Sequence, residues 1–402
     1  MKIKLGVIFG GESVEHEVSV ISAVQAMEHL NQDKYDIIPI YISKDRTWYS
    51  SKMLMDIEVY KNFDDLKKFA KKVTMVKKGD KFYLQKVNGI LRRDITDIDI
   101  AFPIVHGNNV EDGSIQGYLE SIGIPYVGSR VLGSALGQDK VVMKQVFESA
   151  NLPIVDYTWF YDNEYAEDKE NVLDKIAKVG YPVVVKPATL GSSVGITYVK
   201  NAKEISSAIE EAIKYDRKIV VEKAVSDLIE VNCSVLGNYI YQETSAIEEV
   251  MSDNNLLTYA DKYIGGSKGK LKGAKGSIGS KGMASASRVI PARIDKKLED
   301  EIKNLSKEAF KALNLNGLCR IDYLIDKKQN KVYINEPNTI PGSLAFYLWE
   351  PIGKKYTQLL DDMINIAIKD YKNRSKKTYS FDSNILSNYN GLKGSKGKLK
   401  NR

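Results

Sequence analysis

The apolar residues of this chain fall into two patterns, short continuous runs and helical repeats. Residues 2–9 (KIKLGVIF) predict a strand buried on both faces, and the Gly10-Gly11 turn leads into an amphipathic helix over residues 15–30. Residues 36–42 predict a second buried strand. The order of strand, glycine turn, helix and strand predicts a parallel α/β domain that binds its ligands at the carboxyl ends of its strands.

The rest of the chain continues this alternation of strands and helices. Residues 45–97 alternate short charged helices and strands and carry no motif that suggests chemistry. Residues 349–367 begin with a hydrophobic segment and end in a helix, after which the chain becomes polar and basic, as expected of a disordered tail. Between these regions the pattern predicts strands at 99–105, 181–186, 219–222 and 230–236, and helices at 139–150 and 295–313.

Residues 317–342 (GLCRIDYLIDKKQNKVYINEPNTIPG) concentrate polar groups in a predicted hairpin. Two β-rich runs flank the polar segment DKKQN, which is typical of a turn. Because side chains alternate between the faces of a strand, Arg320 and Asp322 share one face of the first strand. Glu336 and Asn338 lie two apart where the second strand ends. One face of the hairpin therefore collects two carboxylates and an amide.

Such a polar cluster costs free energy inside a sheet unless a partner satisfies it, and oxygen ligands suit a hard divalent cation. Magnesium is usually shared between one or two carboxylates and substrate phosphates, so the hairpin predicts a phosphate-bearing ligand. The alternative is an exposed hairpin whose charges are solvated. The segment that follows is a loop ending in Gly342, where backbone can approach a ligand.

A second candidate site follows the predicted strand at residues 99–105. His106, one of three histidines, ends this strand beside the Gly-rich acidic turn GNNVEDG. A histidine and an acid on such a loop suggest a catalytic role, while a purely structural histidine is the alternative. The Gly10-Gly11 turn lacks the complete dinucleotide fingerprint, so no nicotinamide site is predicted.

Lysines near the middle of the chain suggest phosphate binding. Lys186 ends a predicted strand and is followed by PATLGSSVG, a loop whose backbone N–H groups could cradle phosphate, although it is not a P-loop. Lys140 and Lys144 share a predicted helix, and one of them could face a phosphate. A carboxylate on the edge of one of the next strands, at residues 219–222 or 230–236, would suit a ribose hydroxyl, with a solvated surface acid as the alternative.

Length and composition narrow the class of protein. At 402 residues the chain predicts two or three domains, and a hydrophobic content of 43% argues against general disorder. A membrane span needs an apolar run of roughly 18 residues, which the chain lacks, and its N-terminus is too short and Gly-interrupted for a secretion signal, so a cytoplasmic protein is expected. Cys233 and Cys319 lie in apolar, strand-like contexts without metal-ligand spacing, which predicts reduced core residues rather than a disulfide.

The net charge of +7 comes from two lysine-rich segments, residues 264–282 and 391–402, which contain no acidic residue. The remainder is slightly acidic, so the charge says little about the folded surface. The heptapeptide GSKGKLK occurs in both segments, at 266–272 and at 394–400. This repeat is either low-complexity drift or a shared site for an anionic partner.

Six motifs follow one another along the chain: GGxSxExEVS, HGxxxEDG, VKP with GSSVG, YxxKY, RID and NExNTxPG. Together they resemble the D-alanine–D-alanine ligases of the ATP-grasp superfamily, over about residues 3–370. The resemblance implies an N-terminal Rossmann-like α/β substrate-binding domain followed by a two-lobed α+β ATP-grasp. The implied units are the N-terminal domain at 1–130, a central lobe at 131–238, a C-terminal lobe at 239–371 with a basic insert at 264–286, and a basic flexible tail at 372–402.

The resemblance also implies how ATP and metal would bind. Asp322, Glu336 and Asn338 would hold two magnesium (or manganese) ions that bridge the terminal phosphates. Lys140 and Lys186 would contact phosphates, and Lys262 would close over the terminal one. The remaining nucleotide contacts would come from Glu222, Lys223 and Val225 at the adenine and from Glu230 at the ribose.

The same resemblance implies the amino-acid sites. Glu15 would bind the ammonium of the first D-amino acid and form a triad with Ser192 and Tyr263, while His106 would lie near that substrate's carboxylate. Arg320 and the backbone N–H of Gly342 would form the oxyanion hole.

The segment after Gly342 departs from the family pattern. The family commonly continues with Met or Phe, Thr and Ser, and then a serine that binds the second carboxylate, whereas this chain reads SLAFYL. Ser343 or Tyr347 could supply that hydroxyl, with Leu348 beside it, so the second substrate's identity stays open. Tyr263 is similar to the D-alanine-forming members, whereas relatives that form D-lactate products have histidine there, which favours an amine acceptor.

Three functions follow from these observations. The first is an ATP-dependent ligase that joins two D-alanines through an acyl phosphate to supply peptidoglycan precursor, as a homodimer by resemblance. The second is an ATP-grasp ligase that joins D-alanine to another acceptor such as D-serine. The third, a nucleic-acid-binding protein, would use the lysine-rich segments, but the aromatic platforms of single-strand binders are missing near them.

Overall fold

A computed structural model of the chain describes residues 2–87, 93–251 and 288–380. Within these residues, the N-terminal part is built on one sheet of order β6-β5-β4-β3-β2-β1-β7. Its elements are β1 (Ile3–Gly10), α1 (His16–His29), β2 (Tyr35–Ile42), β3 (Trp48–Ser50), α2 (Phe63–Phe69), β4 (Lys71–Lys78), β5 (Lys81–Lys86), β6 (Asp94–Ile98), β7 (Ile100–Ile104) and α3 (Ser114–Ile122).

The parallel strands predicted for this domain form only part of its sheet. β1 pairs in parallel with β2 and with β7, and the residues of these strands are almost entirely buried, as their continuous apolar runs predict. β2 to β6 pair antiparallel, so residues 45–97 extend the sheet on one side. The carboxyl ends of β1 and β7 lead into the segments that carry Glu15 and His106, which places both residues at the same edge of the sheet.

A smaller antiparallel sheet of order β10-β9-β11-β8 forms the central part of the chain. Helices cover it and enclose a separate apolar core. The elements from the end of the N-terminal domain onward are α4 (Val131–Gln138), α5 (Lys140–Ser149), β8 (Tyr157–Tyr161), α6 (Asp162–Glu167), α7 (Lys169–Val179), β9 (Val183–Pro187), β10 (Thr197–Val199), α8 (Ile205–Ile213) and β11 (Lys218–Lys223).

The C-terminal part is an antiparallel sheet of order β14-β13-β12-β15-β16 packed on one long helix. Its elements are β12 (Leu228–Gly237), β13 (Gln242–Val250), β14 (Arg288–Val289), α9 (Lys296–Ala312), β15 (Gly317–Asp326), β16 (Lys331–Asn338) and, after 3₁₀ turns at Gly342–Leu348 and Glu350–Ile352, α10 (Tyr356–Arg374). β12 pairs along its whole length with β15, so residues 228–237 form part of this sheet. The bounds of the predicted units stay predictions.

Helix α10 packs against the N-terminal domain. Apolar side chains of α10 join the core of the N-terminal domain, and Lys34 forms an ion pair of 2.6 Å with Asp361. The helix continues to Arg374, so the first residues of the tail predicted at 372–402 are helical. Cys233 and Cys319 are buried free thiols among the described residues, as predicted. No helix in the described part of the chain is long and apolar enough to cross a membrane.

Candidate active site

A cleft with a cavity volume of about 60 Å³ lies between the three parts of the chain. Each part of the chain contributes to its lining, which explains why residues far apart in the sequence meet there. The lining residues are Glu15, His106, Glu111, Gly137, Gln138, Lys140, Leu190, Gly191, Arg320, Glu336, Pro337, Asn338, Ile340 and Gly342.

The predicted hairpin forms one wall of this cleft. β15 and β16 pair antiparallel, with Arg320 opposite Asn338 and Asp322 opposite Glu336. The four residues are therefore direct cross-strand neighbours, as the two-residue alternation predicted. The register shifts by one residue after Asp322, and this bulge leaves Asn335 as an extra residue in β16.

Arg320 and Asp322 form a bidentate ion pair. Arg320 Nε donates a hydrogen bond of 2.7 Å to Asp322 Oδ1, and Arg320 Nη2 donates one of 2.7 Å to Asp322 Oδ2. Asp322 Oδ2 also accepts a bond of 3.1 Å from Asn338 Nδ2. Burial alone would lower the pKa of the Arg320 guanidinium, but the adjacent carboxylate raises it well above its usual range. The guanidinium therefore stays charged at the wall of the cleft.

Lys140 supplies the counter-charge for the second carboxylate of the hairpin. Its ammonium lies 3.1 Å from Glu336 Oε2 and donates a hydrogen bond of 2.7 Å to the Leu190 carbonyl. Lys140 is the first residue of α5, and Asp139 caps that helix by accepting from the backbone N–H groups of Val141 and Val142. The cap fixes the position from which the lysine reaches the cleft.

Glu222 is held between two buried lysines. Its carboxylate lies 2.6 Å from Lys186 Nζ and 3.0 Å from Lys144 Nζ, and Lys186 also donates a bond of 3.2 Å to the Oδ1 atom of the bulged Asn335. Burial alone would raise the pKa of the Glu222 carboxyl, but the two ammonium groups lower it to about 2. The sequence suggested that Lys140 or Lys144 faces a phosphate, and the structure places Lys140 in the lining of the cleft, whereas Lys144 is completely buried.

The other residues expected at the nucleotide are partly buried. Lys223 donates to the carbonyls of Gly180 and Tyr181, at 2.8 and 2.9 Å. Val225 and Glu230 are half-buried. Burial alone would lower the pKa of Lys186, but the charges of Glu222, Glu336 and, to a smaller extent, Glu230 raise it. Contacts of these residues with a nucleotide stay predictions.

Glu15 lies just before α1, with its carboxylate directed at the loop after β9. Ser192 Oγ donates a hydrogen bond to Glu15 Oε1. Two glycines make room for this carboxylate, because a Cβ atom on Gly191 would lie 2.9 Å from Glu15 Oε2 and one on Gly107 would lie 3.0 Å from the same atom. Ser192 has a left-handed backbone (φ 55°), a conformation that is uncommon outside glycine.

His106 is buried, and its Nε2 lies 3.0 Å from Ser22 Oγ. Burial, together with the nearby Arg320 charge and against the effect of the Ile340 backbone, lowers the pKa of His106 to about 4. Ser22 Oγ also accepts from the Ser343 backbone N–H at 2.8 Å.

Glu111, from the acidic turn after His106, connects two loops. One carboxylate oxygen accepts from the Gly107 N–H at 3.0 Å, and the other accepts from Thr339 Oγ1 at 2.9 Å and from the Ile340 N–H at 2.8 Å. Burial and the charge of Glu15 raise the pKa of this carboxyl to about 7. Glu111 therefore ties the N-terminal domain to the segment that follows β16.

The three residues expected at the second substrate are buried next to the cleft. Ser343 and Leu348 are almost inaccessible, and the Tyr347 hydroxyl donates to Glu248 at 3.2 Å. The Arg288 guanidinium lies 3.8 Å from the centre of the Tyr347 ring and forms an ion pair of 3.0 Å with Glu248. Their contacts with a substrate stay predictions.

Several structural partners of the site were not identified from the sequence. Ser22, Glu111, Asn335 and Glu248 were not named as site residues, and Lys144 was considered only as an alternative to Lys140. Glu111 belongs to the HGxxxEDG motif and Asn335 to the NExNTxPG motif, and these motifs could have identified both residues.

Some predicted features lie outside the described residues. These are Lys262, Tyr263, the basic insert at 264–286 and both copies of GSKGKLK. Among the described residues, no group of three or more His, Cys, Asp or Glu side chains could hold a metal ion. The predicted magnesium ligands are two carboxylates and an amide, a set that such a grouping would not include.

The arrangement combines chemical groups that serve phosphoryl transfer to a carboxylate. Lysines and an arginine face carboxylates across the cleft, so the site can neutralise a polyphosphate and orient a metal ion. Glu15 can bind a substrate ammonium on the opposite side. The cleft thus provides for both an anionic and a zwitterionic ligand.

Comparisons with known proteins agree with this description. The chain matches the family models "D-ala D-ala ligase N-terminus" over residues 4–129 and "D-ala D-ala ligase C-terminus" over residues 146–365. The D-alanine–D-alanine ligase of Thermosipho melanesiensis is 38% identical over 386 residues, which cover 96% of this chain and 98% of that protein. That of Thermoanaerobacter pseudethanolicus is 39% identical over 388 residues, covering 94% and 99%.

Solved structures give the same result. The D-alanine–D-alanine ligase from Coxiella burnetii superimposes with a TM-score of 0.75 at 29% identity, covering 93% of this chain and 96% of that one. The D-Ala:D-Ser ligase from Enterococcus faecalis superimposes with a TM-score of 0.74 at 30% identity, covering 91% and 100%. Fold and cleft together define an ATP-grasp protein. Within that class, the chain belongs to the D-alanine–D-alanine ligase family.

Proposed function

We propose that this protein is an ATP-dependent ligase that joins two D-alanine molecules into D-alanyl-D-alanine, a step in peptidoglycan precursor synthesis. The observation that carries the proposal is that Glu15, Lys140, Arg320 and Glu336 line one cleft in a chain of this family. An ammonium-binding carboxylate, a phosphate-binding lysine, an oxyanion-binding arginine and a metal-binding carboxylate are the groups that this reaction needs.

The reaction has two steps that these residues would serve. A carboxylate is a poor electrophile, so the terminal phosphoryl group of ATP is transferred to the carboxylate oxygen of the first D-alanine, and ADP leaves. The amine of the second D-alanine, after losing a proton, then attacks the acyl carbon. The C–N bond forms, the C–O bond to phosphate breaks, and inorganic phosphate leaves.

In the first step, the protein's own residues bind and orient the reactants. Glu15, hydrogen bonded to Ser192, would hold the ammonium of the first D-alanine, with His106 near its carboxylate. Lys140 and Lys186 would contact phosphates, and Lys262 would close over the terminal one. Glu222, Lys223, Val225 and Glu230 would bind the adenosine. Because phosphoryl transfer depends mainly on positioning and charge neutralisation, these contacts would supply most of the catalysis.

In the second step, the tetrahedral oxyanion would be met by the guanidinium of Arg320 and the N–H of Gly342, which line the same cleft. Tyr263 would complete the triad with Glu15 and Ser192. Ser343, Tyr347 and Leu348 would form the side of the site that faces the second substrate.

The hairpin carboxylates fit a magnesium site. Asp322, Glu336 and Asn338 present oxygen atoms from paired positions on one face, and such oxygens are the ligands that magnesium takes in proteins. We propose that these residues hold two magnesium (or manganese) ions. When bound, the ions would neutralise charge on the terminal phosphates of ATP.

The acceptor is the part of the proposal that most needs a test. The D-serine alternative is not better supported than D-alanine, since the family models and the curated relatives described above are those of D-alanine–D-alanine ligases. A homodimer and a cytoplasmic location stay predictions. The nucleic-acid alternative depended on segments that lie outside the described residues, and no further observation favours it.

The deciding experiment measures phosphate release from ATP with D-alanine, D-serine or D-lactate supplied singly and in pairs, with product analysis by mass spectrometry. We expect D-alanine alone to support rapid phosphate release and to yield D-alanyl-D-alanine. Failure of D-alanine to stimulate phosphate release would overturn the proposed function. A mixed product that dominates over D-alanyl-D-alanine when D-alanine and D-serine compete equally would overturn the proposed acceptor.

A further inference from the structure

The segment from Thr339 to Ser343, here called the 339–343 loop, leads from the hairpin into the 3₁₀ turn Gly342–Leu348 and includes the first two residues of that turn. It contains Gly342, the proposed oxyanion donor, and follows directly after the proposed metal ligand Asn338. Most of its polar backbone contacts described above are made with the N-terminal domain rather than with the C-terminal sheet. The position of the loop therefore depends on residues that are distant in the sequence.

Glu111 holds the first half of the loop. Its carboxylate accepts the Thr339 hydroxyl and the Ile340 N–H through one oxygen, at 2.9 and 2.8 Å, and the Gly107 N–H through the other. Hydrogen bonds to a buried carboxylate are stronger than those between neutral groups. Glu111 thus connects the loop to the segment that follows His106.

Ser22 holds the second half of the loop. The Ser343 N–H donates to Ser22 Oγ at 2.8 Å, and Ser22 Oγ lies 3.0 Å from Nε2 of the buried His106. Ser22 therefore connects the end of the loop to helix α1 and to the segment that carries His106.

The backbone is left-handed from the last residue of the loop onward, which explains why the loop needs anchors. Ser343, Leu344 and Ala345 have φ values of 52°, 50° and 45°, three consecutive left-handed residues without a glycine. Left-handed conformations of this kind cost roughly 1–2 kcal/mol per residue. Strained backbone persists only when the surroundings determine it, and it is concentrated at functional sites. Without its anchors, the start of this turn would relax and displace Gly342.

We infer that Ser22 and Glu111 are positioning residues that hold the 339–343 loop against the first-substrate site, so that the acyl phosphate reacts with the amine and not with water. The inference rests on the proposed function. An acyl phosphate hydrolyses readily once its carbonyl is exposed to solvent. Misplacement of a catalytic group by about 1 Å can slow the productive step roughly 100-fold, which gives hydrolysis time to compete.

The test is the amount of phosphate released per dipeptide formed, measured at saturating ATP and D-alanine. In the wild-type protein this ratio should be close to one. In S22A, which removes the bridging hydroxyl, and in E111Q, which replaces one accepting oxygen by a donor, the ratio should rise about threefold or more. A purely structural role would lower phosphate release and dipeptide formation together and would leave the ratio unchanged.

The chain offers a matched control for each variant. Ser19 is a buried serine on the same helix as Ser22, but its hydroxyl donates to the Ile104 carbonyl and accepts from the Gly10 N–H, away from the loop. Asp112 follows Glu111 and accepts from the N–H groups of Asn109 and Ser114 within its own turn. S19A and D112N should therefore keep the wild-type ratio.

The outcomes separate the inference from the proposed function. A wild-type ratio in S22A or in E111Q overturns the assignment of that residue, and an equal rise in the controls overturns the inference as a whole. If E111Q does not fold, E111D carries the same test, because it retains the charge but is too short to reach all three donors. A wild-type protein that forms no dipeptide refutes the proposed function instead.

Discussion

Arg320 donates two hydrogen bonds of 2.7 Å to the carboxylate of Asp322, two residues further along the same strand. The pair orients the guanidinium toward the cleft and fixes a proposed metal ligand at the same time. We expect R320A to reduce the rate of dipeptide formation by about 100-fold or more, because the oxyanion loses its charged donor. ATP affinity should change little. Steady-state kinetics and calorimetric titration with ATP measure the two effects.

The variant R320K tests the geometry of the contact separately from its charge, because it keeps a positive charge in the buried site. A lysine cannot form the bidentate contact, so we expect activity well below that of wild type. Arg293 is the control, since its side chain is 61% exposed and pairs with Glu249 at the surface. R293A should retain wild-type turnover. Normal turnover in R320A would disprove the role of Arg320.

The contact between Lys144 and Glu222 predicts a large effect on stability. The Lys144 side chain is completely buried, and its ammonium lies 3.0 Å from Glu222. K144M leaves Glu222 with one lysine partner, so the free energy of unfolding should fall by about 3 kcal/mol, as is typical when one partner of a buried ion pair is removed. Urea denaturation measures the change.

The control for that experiment is a surface ion pair. Lys175 and Glu164 are 3.5 Å apart, and both side chains are about two-fifths exposed. K175M should change the free energy of unfolding by less than about 0.5 kcal/mol. A K144M protein as stable as K175M would show that the buried contact contributes little.

His106 and Glu111 predict opposite dependences of stability on pH. The pKa of His106 is lowered to about 4 in the folded protein, so the unfolded chain takes up the proton first as the pH falls. The stability that His106 contributes is complete above about 6.5 and is lost as the pH falls toward 4, by about 3 kcal/mol. The pKa of Glu111 is raised to about 7, so its contribution is complete below about 4.5 and is lost as the pH rises to 7, by a similar amount.

Two variants separate the contributions of His106 and Glu111 to the free energy of unfolding. Urea denaturation between pH 4.5 and 7.5 gives the difference in free energy of unfolding between wild type and H106Q, and between wild type and E111Q. The first difference should grow with pH, and the second should shrink. Two differences that change in the same direction would contradict the assignment of these two groups.

The left-handed turn after the 339–343 loop predicts an unusual tolerance of glycine. Ala345 has φ 45° and is fully buried. A345G loses a buried methyl group, worth about 0.8 kcal/mol, but relieves a left-handed strain of similar size, so stability should change by less than about 1 kcal/mol. Thermal or urea denaturation measures the change.

Ala367 provides the control, because it is buried in the regular helix α10. A367G loses the same methyl group and also the helix propensity of alanine, so it should destabilise the protein by about 2 kcal/mol. Equal destabilisation of A345G and A367G would show that the turn stores no backbone strain.

The sequence predicted those parts of the site that depend on local geometry. Arg320, Asp322, Glu336 and Asn338 were placed on one face from the two-residue period of a strand, and the observed register of β15 and β16 confirms it. The one-residue bulge at Asn335 was not predicted, because a single asparagine without a glycine does not distinguish a bulge from a regular strand position. The predicted elements lie close to their predicted positions, whereas β8, α7, α8 and β13 were not predicted.

Contacts between distant segments could not be derived in the same way. Ser22 lies in an apolar helix, and nothing in its sequence neighbourhood indicates that its hydroxyl meets Ser343. The sequence predicted Lys140 and Lys144 on the same helix, but only the tertiary packing shows that Lys144 is completely buried. The pairing of β12 with β15 was likewise not predicted, because β12 directly follows β11 of the central sheet in the sequence.

The anchoring of the 339–343 loop also has a consequence for protein synthesis. Ser343 is bonded to a helix residue made 321 positions earlier, and Ile340 to a carboxylate made 229 positions earlier. During translation the N-terminal domain emerges and folds first. The proposed reactive centre is therefore completed only after Ser343 has been made, so a shorter nascent polypeptide does not yet contain the groups that would activate a substrate.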